Sequence, residues 1–91
     1  MPQSYYTKDP QAVLDYEIDW SAWLDGDAIA ISTWTVAPTG ITIDDDENTT
    51  TTTTVWLSGG IAGKNYTVTN HIVTEGGRED DRSFQIRVRE R

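Results

Sequence analysis

The sequence predicts an all-β protein whose antiparallel strands form a sandwich or a small barrel. Apolar and polar residues alternate through most segments, helical spacing is nearly absent, and turn residues separate the segments at intervals of roughly 8–15 residues. The chain has 91 residues, a length that suits one domain rather than two. We expect residues 1–11 to form an extended N-terminal arm and residues 12–91 to form a single domain.

The first predicted strand covers residues 13–20 and has one apolar and one acidic face. The apolar face contains Leu14, Tyr16, Ile18 and Trp20, and the acidic face contains Asp15, Glu17 and Asp19. This period-two alternation is typical of a strand with one face in the core and the other in water. Trp23 is expected at the end of the strand, before a turn at residues 25–27.

The second predicted strand covers residues 28–36, which are rich in β-branched and aromatic side chains. Its two halves place their apolar residues on opposite faces: Ile29 and Ile31 share one, whereas Trp34 and Val36 share the other. A β-bulge or a change of sheet near residues 32–33 would reconcile the two halves.

Composition divides the remainder of the chain. Residues 41–43 are expected to form a short strand at most, and the acidic residues 44–48 a solvated loop. The threonine-rich residues 49–54 are expected to begin a strand that ends at residue 57, because threonine favours strands. Alternating apolar residues predict two further strands, over residues 66–73 and 84–89.

Residues 60–69 combine a glycine-bearing turn with Tyr66, Thr67 and Val68 at the start of a strand. This segment resembles the tyrosine corner of immunoglobulin-like and fibronectin type III domains, and residues 75–78 with the strand after them resemble the last fibronectin type III hairpin. The resemblance implies an Ig-like or fibronectin type III-like antiparallel β-sandwich, in which the Tyr66 hydroxyl bonds to the backbone of the preceding loop. It places no ligand site.

The formal net charge of -8 is unevenly distributed, since five of the seven basic residues lie between positions 78 and 91. The overall charge argues against duplex nucleic acid or an anionic membrane as a partner, because both would repel the molecule. No segment approaches the ~18 consecutive apolar residues that a membrane span needs. The arginine-bearing end predicts a surface that meets a partner or a second copy. The alternative is an edge strand whose arginines prevent edge-to-edge pairing.

We find no set of residues that indicates catalysis or a cofactor. The chain has no cysteine, its single histidine, His71, has no neighbours at metal-ligand spacing, and its serines lack an activating context. The acidic residues 25–27 and 44–47 do not match the twelve-residue calcium loop. We therefore predict a protein that is not an enzyme and that has no catalytic residue, metal or cofactor.

A second resemblance covers residues 9–91. It rests on four blocks in one order: residues 9–16 (Asp-Pro-Gln-Ala-Val-Leu-Asp-Tyr), residues 19–24, residues 55–60 and residues 77–83. They are similar to a family of small structural proteins encoded among the morphogenesis genes of tailed bacteriophages and prophages. The resemblance implies a component of the head, neck or tail of the virion, made in the cytoplasm of the bacterial host, with other virion proteins as partners.

The aromatic and charged residues supply the candidate sites. Trp20 and Trp34 are expected in the core, together with the structural Tyr66. Trp56 lies between Val55 and Leu57, so either Trp56 or these two residues point away from the core unless the strand is covered on both faces. The candidate interface residues are Asp15, Glu17, Asp19, Trp23, Trp56, Arg87, Arg89 and Arg91.

The leading hypothesis is a non-enzymatic virion structural protein that acts through protein–protein contacts. The acidic face of the first strand would meet the arginines of a neighbouring copy and give a homo-oligomer or an array. The alternative is an Ig-like binding module that recognises a host-surface glycan or protein with Trp23 or Trp56. A third hypothesis, an acidic inhibitor that imitates nucleic acid, conflicts with the arginine-bearing last strand.

Overall fold

The structure is a computed structural model that describes residues 4–89. In this part of the chain the elements follow in the order β1 (Ser4–Lys8), β2 (Leu14–Asp19), α1 (Ser21–Leu24), β3 (Ile29–Ala37), β4 (Ile41–Asn48), β5 (Thr52–Gly59), β6 (Asn65–Thr74) and β7 (Glu79–Val88).

The strands form two sheets. Sheet A has the order β1-β7-β6-β3, and sheet B has the order β2-β5-β4. Neighbouring strands are antiparallel except β1 and β7, which are parallel, so residues 4–8 of the predicted arm lie at the edge of sheet A. The predicted all-β, Ig-like sandwich is therefore confirmed. None of the helices in residues 4–89 is long and apolar enough to cross a membrane.

The core lies between the inward faces of the two sheets. Its main cluster of buried residues contains Tyr16, Trp34, Val55, Leu57, Tyr66, Val68, Phe84, Ile86 and Val88. A second cluster, beside α1, contains Trp20, Leu24, Ile29 and Ile72. Trp20 and Trp34 are thus buried, as the alternation predicted.

The tyrosine corner is present. The Tyr66 hydroxyl accepts a hydrogen bond of 3.0 Å from the backbone N–H of Ile61. Gly40 leaves room for this hydroxyl, because a Cβ built at that position would stand 2.5 Å from it. Gly40 also has a φ of +142°, which L-residues with side chains rarely adopt. The corner therefore constrains both the turn before β6 and the residue that precedes β4.

Two predictions about the middle of the chain are wrong. Residues 44–48 are not a loop, because β4 continues through them as an edge strand of sheet B. The acidic side chains stay in water while the backbone pairs with β5, so the composition indicated exposure and not the absence of a strand. Conversely, Thr49 belongs to a turn, where its Oγ1 accepts hydrogen bonds from the N–H groups of Thr51 and Thr52.

Two further predictions need correction. The bulge of β3 lies between Ile29 and Ile31, earlier than residues 32–33, so Ile29 is buried and Ile31 is exposed. Trp23 is not at a strand end but in α1, a single turn of four residues whose Leu24 is buried. A helix this short has no apolar periodicity that a sequence pattern could detect.

Candidate interaction surface

The outer face of sheet B carries the most pronounced surface feature of the described residues. The strand register places Asp15 and Asp45 on either side of Trp56, and Glu17 and Glu47 on either side of Thr54. Paired residues of neighbouring strands share a face and bring their Cβ atoms to ~4.5–5.5 Å. We call the set Asp15, Glu17, Asp45, Glu47 and Trp56 the acidic face.

Trp56 points away from the core. Along β5 the side chains of Thr53, Val55 and Leu57 are fully buried, whereas Trp56 is half-buried on the other side of the strand. The alternation of β5 left open whether Trp56 or its neighbours Val55 and Leu57 point away from the core, and the structure shows that Trp56 does. An outward tryptophan in the centre of a sheet face is the kind of anchor that protein interfaces use, because it contributes a large contact area.

The four acids of the acidic face have no ion-pair partner within residues 4–89. The ion pairs there join His71 to Glu79 and Asp81, and Arg78 to Asp27. The carboxylates on both sides of Trp56 are exposed and are neutralised by no cation of the described chain. The face therefore offers uncompensated negative charge around an aromatic ring.

Asp19 is placed differently from its two predicted companions on β2. Its Oδ1 accepts a 2.9 Å hydrogen bond from the N–H of Ser21, and Arg82 Nη1 donates 3.1 Å to its backbone carbonyl. The hydrogen bonds from Ser21, with the charge of Arg82, lower the pKa of the Asp19 carboxyl. Asp19 thus stabilises the start of α1, and part of its hydrogen-bonding capacity is already used within its own chain.

Of the predicted arginines, Arg87 and Arg89 are exposed at one end of sheet A. Arg87 lies opposite Asn65 and donates to its Oδ1 over 3.2 Å, and the exposed Lys64 precedes Asn65. We call Lys64, Arg87 and Arg89 the basic corner. Sequence reasoning missed Lys64, because only the pairing of β6 with β7 brings it beside the last strand. Arg91 lies outside the described residues.

The other two C-terminal arginines are engaged within the molecule. The Arg78 guanidinium carbon lies 4.3 Å from the centre of the Trp23 ring, and that of Arg82 lies 4.2 Å from the centre of the Trp20 ring. Arg78 also bonds Asp27 and the carbonyl of Leu24. Trp23, a predicted interface residue, is therefore covered on one side by its own chain.

His71 lies on the outer face of sheet A between two carboxylates. Nε2 is 3.0 Å from Glu79 Oε1, and Nδ1 contacts Asp81 Oδ1. The hydrogen bond to Asp81, followed by that to Glu79, raises the pKa of His71 above its ordinary value. Within residues 4–89, no group of three or more His, Cys, Asp or Glu could hold a metal ion.

Comparison with known proteins identifies the family. The model of the family described as "Podophage GP4 fiber-tail adaptor protein gp77" matches residues 8–87. The chain belongs to this fiber-tail adaptor family. It is therefore a phage structural protein and a virion component.

Solved structures support the fold alone. The solution structure of the PKD domain from KIAA 1837 protein is 22% identical, covers 99% of this chain and 82% of its own, and superposes with a TM-score of 0.55. The comparison with curated proteins gives no significant match.

The match to the fiber-tail adaptor family covers both surface features. It begins at Lys8 and ends at Arg87, so it includes the whole acidic face and two of the three residues of the basic corner.

Lys8 is fully buried, and its Nζ donates to the carbonyls of Gly59 (2.7 Å) and Asp9 (2.9 Å). Burial lowers the pKa of this ammonium.

Proposed function

We propose that this protein is a non-enzymatic adaptor that joins a fibre to the tail of a phage through protein–protein contacts. The observation that carries the proposal is the match of the fiber-tail adaptor family over residues 8–87. Among the head, neck and tail positions that the sequence analysis left open, this match favours the fibre–tail junction. We also propose synthesis in the bacterial cytoplasm before incorporation into the virion.

The architecture suits an adaptor. The outer faces of sheets A and B point in opposite directions, so one molecule can contact two neighbours at once. The interior between them is close-packed and joined by hydrogen bonds, which makes the block rigid. A small domain of this kind also gains stability from assembly, since a partner that binds only the folded state shifts the folding equilibrium.

The adaptor is proposed to act as several copies. The acidic residues Asp15, Glu17 and Asp19 of one copy would face the arginines at positions 87, 89 and 91 of its neighbour. The three acids belong to β2 of sheet B, whereas Arg87 belongs to β7 of sheet A and Arg89 follows it, so such a contact repeats from copy to copy and gives a ring or an array. Rim charges of this type orient the partners more than they stabilise the complex.

Phage particles that lack this protein test the proposed function. We expect particles made without it to have complete tails but no attached fibres, and supply of the protein in trans to restore the fibres. The measurements are electron microscopy and mass spectrometry of purified particles. Fibres that stay attached in its absence, or purified particles that do not contain the protein, would contradict the proposal.

A second candidate function rests on the exposure of Trp56. A half-buried indole on the outer face of a sheet, flanked by carboxylates that can accept hydrogen bonds from hydroxyl groups, also suits a host-surface glycan or protein. Titration of the protein with bacterial surface polysaccharides, followed by tryptophan fluorescence, tests it. A shift that is lost in Trp56→Thr would support the glycan-binding module, and an unchanged spectrum across the panel would exclude it.

A further inference from the structure

We propose that Trp56 and its flanking carboxylates receive the basic corner of a second copy of this chain, with Arg87 or Arg89 over the indole. This inference rests on the proposed function, since it names the contact through which copies of the adaptor would associate. The earlier proposal pairs the acids of β2 in one copy with the C-terminal arginines of its neighbour. This inference adds Trp56, Asp45 and Glu47 to the acidic side of that contact and Lys64 to the basic side.

The molecule itself shows the interaction twice. Arg78 stands over Trp23 at 4.3 Å and bonds the carboxylate of Asp27 at 3.3 Å, which combines a tryptophan, an arginine and an aspartate in one contact. Arg82 stands over Trp20 at 4.2 Å. Among the described residues, Trp56 has the flanking carboxylates and the outward ring but no cation over it. A cation near a tryptophan face is attracted by the ring quadrupole.

The strand register places carboxylates where they can bind a cation that lies over the Trp56 ring. Asp15 and Asp45 both pair with Trp56, and the next outward position along β5 is flanked by Glu17 and Glu47. Neighbouring strands are ~4.8 Å apart, so a guanidinium over the indole has a carboxylate within reach on each side. Arginine suits this position better than lysine, because its planar group stacks on aromatic rings and donates in a fixed fork.

Charge complementarity identifies the second copy as the occupant. The chain has seven basic residues in total, of which Lys8 is buried and Arg78 and Arg82 are stacked on the chain's own tryptophans. The remaining described cations are Lys64, Arg87 and Arg89, and all three are exposed together in the basic corner. Within residues 4–89, Arg87 bonds Asn65 and forms no ion pair with a carboxylate, so it can pair with an acid of another copy.

The contact is head to tail. Arg87 points outward from sheet A, because its neighbours Ile86 and Val88 point into the core, whereas Trp56 points outward from sheet B. Each copy therefore presents an acidic face on one side and a basic corner on the other. A heterologous contact of this kind closes into a ring or continues as a filament, and an isolated symmetric dimer cannot use it.

Mixing two variants tests this geometry. The face variant combines Trp56→Thr with Glu47→Lys, and the corner variant combines Arg87→Glu with Arg89→Glu. We expect the wild type to form salt-sensitive oligomers, each variant alone to be monomeric, and an equal mixture to give a heterodimer and nothing larger. Light scattering after size exclusion, at low and high salt, measures the masses. A monomeric wild type at low salt, or a mixture without heterodimer, would overturn the proposal.

Single substitutions separate the contact from general charge effects. Glu47→Lys should weaken self-association, whereas Glu75→Lys, which makes the same charge change at an exposed position outside the acidic face, should leave it nearly unchanged. Trp56→Thr alone should raise the dissociation constant of the contact roughly 2- to 30-fold, the range that corresponds to cation–π attraction at exposed to desolvated sites. Circular dichroism confirms that each variant is folded. Equal effects of the two lysine substitutions would contradict the inference.

Carbodiimide cross-linking of particles distinguishes this inference from the proposed function. A bond between Lys64 and Asp45 or Glu47 of another copy supports the inference, and mixed ¹⁴N and ¹⁵N protein establishes in solution that the link joins two molecules. If the acidic face is linked only to a tail or fibre protein, the inference fails and the adaptor function stands. If copies associate in solution but purified particles lack the protein, the adaptor function fails and the contact stands.

Discussion

At the scale of single residues, the Asn70 side chain is the polar centre of the interior. Its Oδ1 accepts from Trp20 Nε1 at 3.0 Å and from Thr53 Oγ1 at 2.7 Å, and its Nδ2 donates to Ser32 Oγ at 2.9 Å and to the Thr33 carbonyl at 3.0 Å. The amide thus connects β3, β5 and β6, and it crosses from one sheet to the other. A buried polar group is stabilising when its hydrogen bonds are complete.

Replacement of Asn70 by leucine tests this network. Asn70→Leu leaves the Thr53 hydroxyl without its acceptor in the core and leaves the Trp20 N–H with only Thr53 Oγ1 at 3.3 Å, so we expect a loss of ~2 kcal/mol in the free energy of unfolding. Urea denaturation gives the value. Thr67→Ala, on the outer face of the same strand, is the control and should cost less than ~1 kcal/mol. Similar losses in the two variants would show that the network contributes little.

His71 makes stability depend on pH. Its pKa is raised in the folded protein by Asp81 and Glu79, so the protonated form is favoured by folding. The resulting stabilisation is fully present below the unfolded-state pKa of ~6.5 and is lost as pH rises through the higher folded pKa. We expect the wild type to lose stability relative to His71→Gln over this window. Urea denaturation of both proteins across this pH window, together with the His71 pKa measured by NMR, checks the prediction. Parallel pH profiles of stability for the wild type and His71→Gln would refute it.

At the scale of elements, the N-terminal strand depends on a buried lysine. Lys8 Nζ reaches the carbonyl of Gly59 at the end of β5, and the backbone carbonyl of Lys8 accepts from the N–H of Arg89. These bonds attach β1 both to its own sheet and to the opposite one. Sequence patterns predicted an extended arm here but not its pairing, since five residues with a lysine among them carry no clear alternation.

Removal of the Lys8 side chain should therefore loosen β1 selectively. Lys8→Ala leaves a cavity and deprives the Gly59 carbonyl of its charged donor, so we expect ~1–3 kcal/mol of destabilisation. Amide hydrogen exchange should accelerate in β1 and at Arg89 while β6 stays protected. Thr7→Ala, at an exposed position of the same strand, serves as the control. Uniform acceleration in all strands would contradict a local role for Lys8.

Strand β4 shows what composition misses in an element. Its residues 44–47 are all acidic, yet the backbone keeps a register with β5 that is interrupted between Ile43 and Asp45. The irregularity places Asp45 opposite Trp56. A sequence pattern cannot locate such a register shift, because it depends on which strand the segment pairs with.

At the scale of the whole molecule, the net charge of -8 is concentrated where two edge strands flank β5. The four acids of the acidic face repel one another in the isolated protein. Salt screens exposed charges, so we expect the free energy of unfolding of the monomeric corner variant to rise with sodium chloride concentration. Adding Asp45→Asn and Glu47→Gln should reduce this rise. Urea denaturation at several salt concentrations measures this rise. An equal salt dependence of the corner variant with and without Asp45→Asn and Glu47→Gln would contradict the prediction.

The sequence by itself determined the sandwich, the buried Trp20 and Trp34, and the tyrosine corner. These properties follow from alternation and from motifs of a few adjacent residues, which local sterics and burial control. Tertiary structure decided which way Trp56 points, which arginines are used internally, and that Asp45 and Glu47 join Asp15 and Glu17 around one ring. The physical reason is that strand pairing and register join residues far apart in the chain, and pairing is a property of the assembled sheets and not of any one segment.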